Sequence, residues 1–144
     1  MGCMNSTGLG DDVEKWLASG TDVRRLAVPA QMLTVPGLGP VLVLAVVGWP
    51  DSITMLTVEP GLGAKAKHSN VRLGVRDDLG GFHPFRQGGG SGGGPFGRMI
   101  FSSTFGEPVP DGARALHLYG LPGRSVFTHT AADPLPPHAT IALD

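Results

Sequence analysis

Arg76-Asp77-Asp78-Leu79-Gly80-Gly81-Phe82 is a turn written between two extended segments, and its reading decides the fold class. Aspartate side chains accept backbone N–H bonds and glycines take positive φ at little cost, so this short run suffices to reverse the chain. Val71 to Arg76 runs into the turn and Phe82 to Phe85 leaves it, which makes the unit a β-hairpin. This is sheet-building chemistry, and it offers no convergent reactive groups.

Outward from this hairpin, further strands read at Arg24 to Val28, Gln31 to Val35, Val41 to Trp49, Ser52 to Glu59, Arg98 to Phe105, Ala113 to Tyr119, Ser125 to Thr130 and Ala139 to Leu143. Val41 to Val47 is continuously apolar and largely branched, as a central strand covered on both faces must be. Trp49-Pro50-Asp51-Ser52 places proline early in a turn that closes onto Ile53 to Val58. In Ala113 to Tyr119, Leu116 and Leu118 fall on one face and His117 and Tyr119 on the other. One helix is expected, Asp11 to Ser19, with Asp11 as cap, Glu14 three residues later, and Val13, Trp16 and Leu17 on one side before Gly20. So short a helix forms only where Trp16 and Leu17 dock on something apolar. Many short strands with a single helix predict an all-β, antiparallel sandwich or barrel, and they exclude an alternating α/β fold.

Gly88 to Gly94, six glycines around Ser91, reads as a mobile hairpin loop, because such residues bury nothing and have much conformational entropy to lose. The expected organisation is a disordered leader over residues 1–10 and one domain over 11–144 that includes helix 11–19 and loop 88–94.

The order Asp77-Asp78-x-Gly80-x-Phe82, glycine-rich loop, Phe105-x-x-Pro108-x-Pro110-x-Gly112-Ala113-x-x-Leu116-x-Leu118 resembles the immunoglobulin-like β-sandwich domains of uncharacterised actinobacterial proteins. The resemblance spans about Val41 to Thr130 and extends to a preceding helix and an arginine pair like Arg24-Arg25. It implies an immunoglobulin-like sandwich and a bacterial, non-enzymatic background, and it transfers no catalytic or binding residue. His83 follows Phe82 where related sandwiches often carry tyrosine, so no role resting on that hydroxyl transfers.

Composition narrows the function. Glycine (23) and proline (13) make a quarter of the 144 residues, yet hydrophobic residues hold at 41%, so the excess punctuates strands without replacing a core. Eleven basic against twelve acidic residues leave a net charge of -1, which removes the long-range attraction that nucleic acids or anionic membranes require. The single cysteine, Cys3, forms no intrachain disulfide, as expected of a cytoplasmic protein. No apolar run approaches the roughly 20 residues of a membrane-spanning helix, and no secretory signal opens the chain. Met1-Gly2-Cys3-Met4-Asn5-Ser6 matches a myristoylation pattern with a second acylatable site, but an unmodified leader is the reading preferred for a bacterial chain.

Candidate chemistry is sparse. Gly89-Gly90-Ser91-Gly92-Gly93 is a literal Gly-x-Ser-x-Gly followed by Asp111, Asp133 and His138, which raises a serine hydrolase using Ser91 as the enzymatic alternative. A glycine run supplies neither the strain nor the following helix that a nucleophile elbow needs. Pro95-Phe96 after Gly94 likewise departs from a phosphate-binding loop. Five histidines show no ligand spacing; His117 and His129, on consecutive expected strands, are read as surface imidazoles over a cross-strand metal pair. Asp77 and Asp78 are read as turn caps over calcium ligands, since no further carboxylates stand near. No cofactor and no metal is expected.

Phe82, Phe85 and Phe96 flank the glycine tract, and aromatics around a loop make a partner-binding rim. Trp49 and Tyr119 are candidates for a small-ligand or carbohydrate-binding alternative. The expectation for function is therefore a non-enzymatic protein-binding or assembly module, with a protein partner or a second copy of itself engaged at a sheet edge or at the aromatic rim.

Overall fold

The computed structural model describes residues 23–59, 72–91, 99–122 and 125–144. The expected helix 11–19, the leader 1–10, Phe96 and the far part of the glycine tract lie outside the described residues. Among the described residues there are ten strands: β1 (Arg25–Ala27), β2 (Gln31–Val35), β3 (Gly39–Gly48), β4 (Ser52–Glu59), β5 (Arg72–Asp77), β6 (Phe82–His83), β7 (Phe85–Ser91), β8 (Met99–Gly106), β9 (Ala115–Leu121) and β10 (Ala139–Ala142). A single helical turn, α1 (Ser125–Thr128), follows β9. The described fold is all-β, and every strand pairing in it is antiparallel.

The larger sheet runs β1-β3-β4-β8-β7, with β2 sharing the outer edge of β3; the smaller runs β10-β9-β5-β6. Val43, Val46, Ile53, Met55 and Phe105 from the first sheet meet Val75, Leu116, Leu118 and Ile141 from the second in one buried cluster. Alternation encodes much of that core, as in β4, where Ile53, Met55 and Thr57 are buried and leave water, whereas β5 is buried at every position from Leu73 to Asp77. The outer face of the larger sheet is also apolar in part. Met32, Leu42, Val58 and Ile100 form one cross-strand row, in which Met32 is 54% and Ile100 50% exposed.

Two segments differ from the sequence reading. Ser125 to Thr130, expected as a strand, instead begins with α1, whose turn closes through the His129 N–H on the Ser125 carbonyl at 2.8 Å. β9 already has β5 on one side and β10 on the other, so no edge is left there for another strand. Gly88 to Ser91, expected in a loop, extend β7 along β8 instead. Glycine weakens a strand for want of a side chain to pack, but here neighbouring rings occupy that space. A Cβ on Gly88 would stand 3.2 Å from the Phe85 ring, and one on Gly90 2.7 Å from the Phe101 ring.

Candidate functional site

The β5–β6 turn organises two polar clusters, and both are turned inward. Asp77 Oδ1 accepts the N–H groups of Leu79 and Gly81, each at 2.9 Å, which is the capping role that the turn sequence predicts. Its Oδ2 accepts from His83 Nε2 at 2.8 Å, while His83 Nδ1 donates to the carbonyls of Gly106 at 3.1 Å and Glu107 at 2.9 Å. Burial alone would raise the Asp77 pKa, but the Gly81, His83 and Leu79 donors outweigh it and hold the carboxyl below its ordinary value. Asp78 turns elsewhere, accepting the Arg114 N–H at 3.1 Å. The two aspartates therefore serve separate backbone partners.

Arg76 points to the other side of β5 and is 9% exposed. Its Nε donates to Tyr119 Oη at 3.3 Å; its Nη2 donates to the carbonyl of Asp133 at 2.7 Å and lies 3.0 Å from His129 Nε2. A guanidinium has no lone pair to offer, so His129 Nε2 is the acceptor. Tyr119 Oη also lies 3.2 Å from that nitrogen, and His129 Nδ1 lies 3.6 Å from Asp133 Oδ2. Asp133, His129 and Tyr119 thus form a line, but its hydroxyl end is fully buried and its imidazole nitrogen already holds a donor. Burial pushes the Tyr119 phenol up and the His129 imidazole down, the latter helped by the charge of Arg76 and opposed by Asp133. The cluster clamps residues 125–134 onto the smaller sheet.

One groove open to a ligand lies at the β7 edge of the larger sheet. Among the described residues β7 pairs only with β8, so its outer N–H and C=O groups are unclaimed. Beside it runs a groove of about 370 Å³ lined by Phe85, Phe101 and Ser103, by the backbone of residues 88–90, and by Arg72 and Arg86. The glycines let the rings lie against the backbone at the groove: a Cβ at Gly90 would stand 2.7 Å from the Phe101 ring and one at Gly88 3.2 Å from the Phe85 ring. Phe85 is anchored from beneath by an edge-on contact with Phe105, ring centres 5.9 Å apart.

The expected site residues do not converge. Phe85 alone lines the groove; Phe82 packs 5.5 Å from the His129 ring and under the Arg76 guanidinium. Trp49 is half-buried at the β3–β4 turn, its Nε1–H donating to Thr54 Oγ1 at 2.9 Å. Tyr119 is buried and reaches no surface ligand. His117 pairs with His138, ring centres 4.4 Å apart, and not with His129. Ser91 closes a strand, and Asp133 and His138 keep separate company: the first caps Thr130 and faces His129, the second lies on His117. Arg72, Arg86, Phe101 and Ser103 belong to no functional motif in the sequence; only the alternation through Arg98 to Phe105 signals that Phe101 and Ser103 share a face. Among the described residues no three His, Cys, Asp or Glu side chains gather as a metal site, and no helix is long and apolar enough to cross a membrane.

No family model and no curated protein matches the chain. Among solved structures it is similar to a conserved domain protein from Bacillus anthracis, at 30% identity over 55% of this chain and 28% of that one, with a TM-score of 0.43. The chain spans less than a third of that protein's length, and a likeness of this degree carries no argument about fold or function.

Proposed function

We propose that this chain is a non-enzymatic protein-binding module, an immunoglobulin-like β-sandwich of a bacterial cytoplasmic protein, that receives an extended segment of its partner along β7. The observation that carries the reading is the groove itself, where a free strand edge, two aromatic rings and side-chain-free backbone lie side by side. A strand added to such an edge gains affinity from main-chain hydrogen bonds, while pockets beside it select alternate side chains. Glycines at the edge let the incoming backbone approach without steric conflict. The polar clusters at Asp77–His83 and Arg76–His129 support the same reading, because their donors and acceptors are spent on holding the fold.

Selection from a peptide library displayed on phage, followed by mapping of amide shifts in the isotope-labelled protein, tests this. Shifts and slowed exchange concentrated on residues 85–91 are the expected result. Enriched peptides whose shifts fall elsewhere, or no enrichment at all, would overturn it.

A further inference from the structure

The groove carries charge of one sign. Arg72, at the start of β5, and Arg86, in β7, reach it from the two different sheets, and both are exposed. No carboxylate lines it among the described residues, and neither arginine has an ion-pair partner there. Asp77, at the far end of β5 from Arg72, is spent on His83 and on two backbone N–H groups inside the fold. On a chain whose net charge is only -1, this leaves two unneutralised guanidinium groups flanking a pair of aromatic rings and a free strand edge.

Resting on the β7-edge reading above, we infer that the partner segment is an acidic one: an extended peptide that alternates carboxylate side chains with apolar ones. Alternation follows from strand geometry, which sends successive side chains to opposite faces. The apolar set lies over Phe85 and Phe101. Arg86, next to Phe85 in β7 and lying over Gly106, donates two parallel hydrogen bonds from its planar fork to a carboxylate of the other set, and Arg72, on the side of the rings, adds longer-range attraction. A second copy of this chain offers no such complement along β7, since Phe85-Arg86-Gln87-Gly88-Gly89-Gly90-Ser91 holds no carboxylate. Attraction between the exposed arginines and the acidic segment acts beyond contact, so the encounter speeds up at low salt and slows at high salt.

The test uses the full chain and fluorescein-labelled peptides that alternate valine with glutamate, with glutamine, or with lysine, read by fluorescence anisotropy. The glutamate peptide is expected to bind roughly tenfold more tightly than the glutamine peptide. Its binding should weaken as salt rises, and the Arg72→Glu/Arg86→Glu double variant should reverse the preference toward lysine. Both arginines are exposed, so the variant folds, and its far-ultraviolet circular dichroism verifies that. Equal binding of the three peptides, or a preference the double variant leaves unchanged, overturns the acidic assignment while the edge-binding reading stands. Failure of all three peptides to bind, with no response of residues 85–91, overturns both.

Discussion

His83 Nε2 stands 2.8 Å from Asp77 Oδ2, and the same ring reaches across with Nδ1 to the carbonyls of Gly106 and Glu107. Asp77 ends β5 of the smaller sheet, while Gly106 ends β8 of the larger. One buried imidazole therefore ties the two sheets together at the end where their turns meet, a role that a hydrocarbon of equal size would leave to packing alone. With the carboxylate and imidazole only 0% and 1% exposed, the pair has little solvent to replace a lost partner.

Asp77→Ala removes one member of that pair and leaves the other buried without its counter-charge, together with the Leu79 and Gly81 N–H groups. The expected loss is about 3 kcal/mol of unfolding free energy, read from the urea midpoint at unchanged slope. A loss below about 1 kcal/mol, the size of an exposed pair, would contradict a bridging role.

Acid should weaken the protein through the same carboxyl. Its pKa is depressed in the folded chain, so its contribution is complete above the ordinary value of 3.8 and disappears as pH falls through the depressed one. Asp77→Asn should flatten that limb of the stability curve; an unaltered acid limb would place the titrating group elsewhere.

His129 and His117 titrate below their ordinary 6.5, both because burial disfavours the cation, with Arg76 repelling the first and His138 the second. The unfolded chain then takes up these protons first, so stability is complete above pH 6.5 and declines as pH falls from there toward the depressed values. Proton NMR of the imidazole signals checks the direction. Arg76→Gln should move the His129 midpoint upward and leave that of His117 in place.

Gly120→Ala should cost about 2 kcal/mol or more. The added Cβ would lie 2.7 Å from the Gly37 carbonyl carbon and 2.9 Å from the Leu38 nitrogen, at the point where the Gly120 N–H binds the Pro36 carbonyl. That is backbone against backbone, and neither side can rotate away. Gly89→Ala meets nothing within 4 Å and should change stability by less than about 0.5 kcal/mol; thermal unfolding of the two variants side by side separates a docking glycine from an open one.

Much of the sheet was legible because strand periodicity is local. Gln31 to Val35 and Ser52 to Glu59 appear with the bounds their turn residues mark, and Asp77 caps its turn as its neighbours require. Ser125 to Thr130 is rich in the branched and aromatic residues of strands, yet it opens with a helical turn, since a strand also needs a vacant edge and β9 had none to give. Gly88 to Gly90 carry no side chains to show a pattern; only the rings of Phe85 and Phe101, brought over them by pairing with β8, make them a strand.

By itself the sequence determined that the described chain is extended and antiparallel, where it turns, and which faces are apolar, for these follow from residues a few positions apart. Only tertiary structure decided that Tyr119 is interior, that His83 bridges two sheets, and that Arg72 and Arg86 flank one groove. Those relationships join residues distant in the chain, and their energy comes from desolvation and charge pairing that exist only once the sheets have closed on each other.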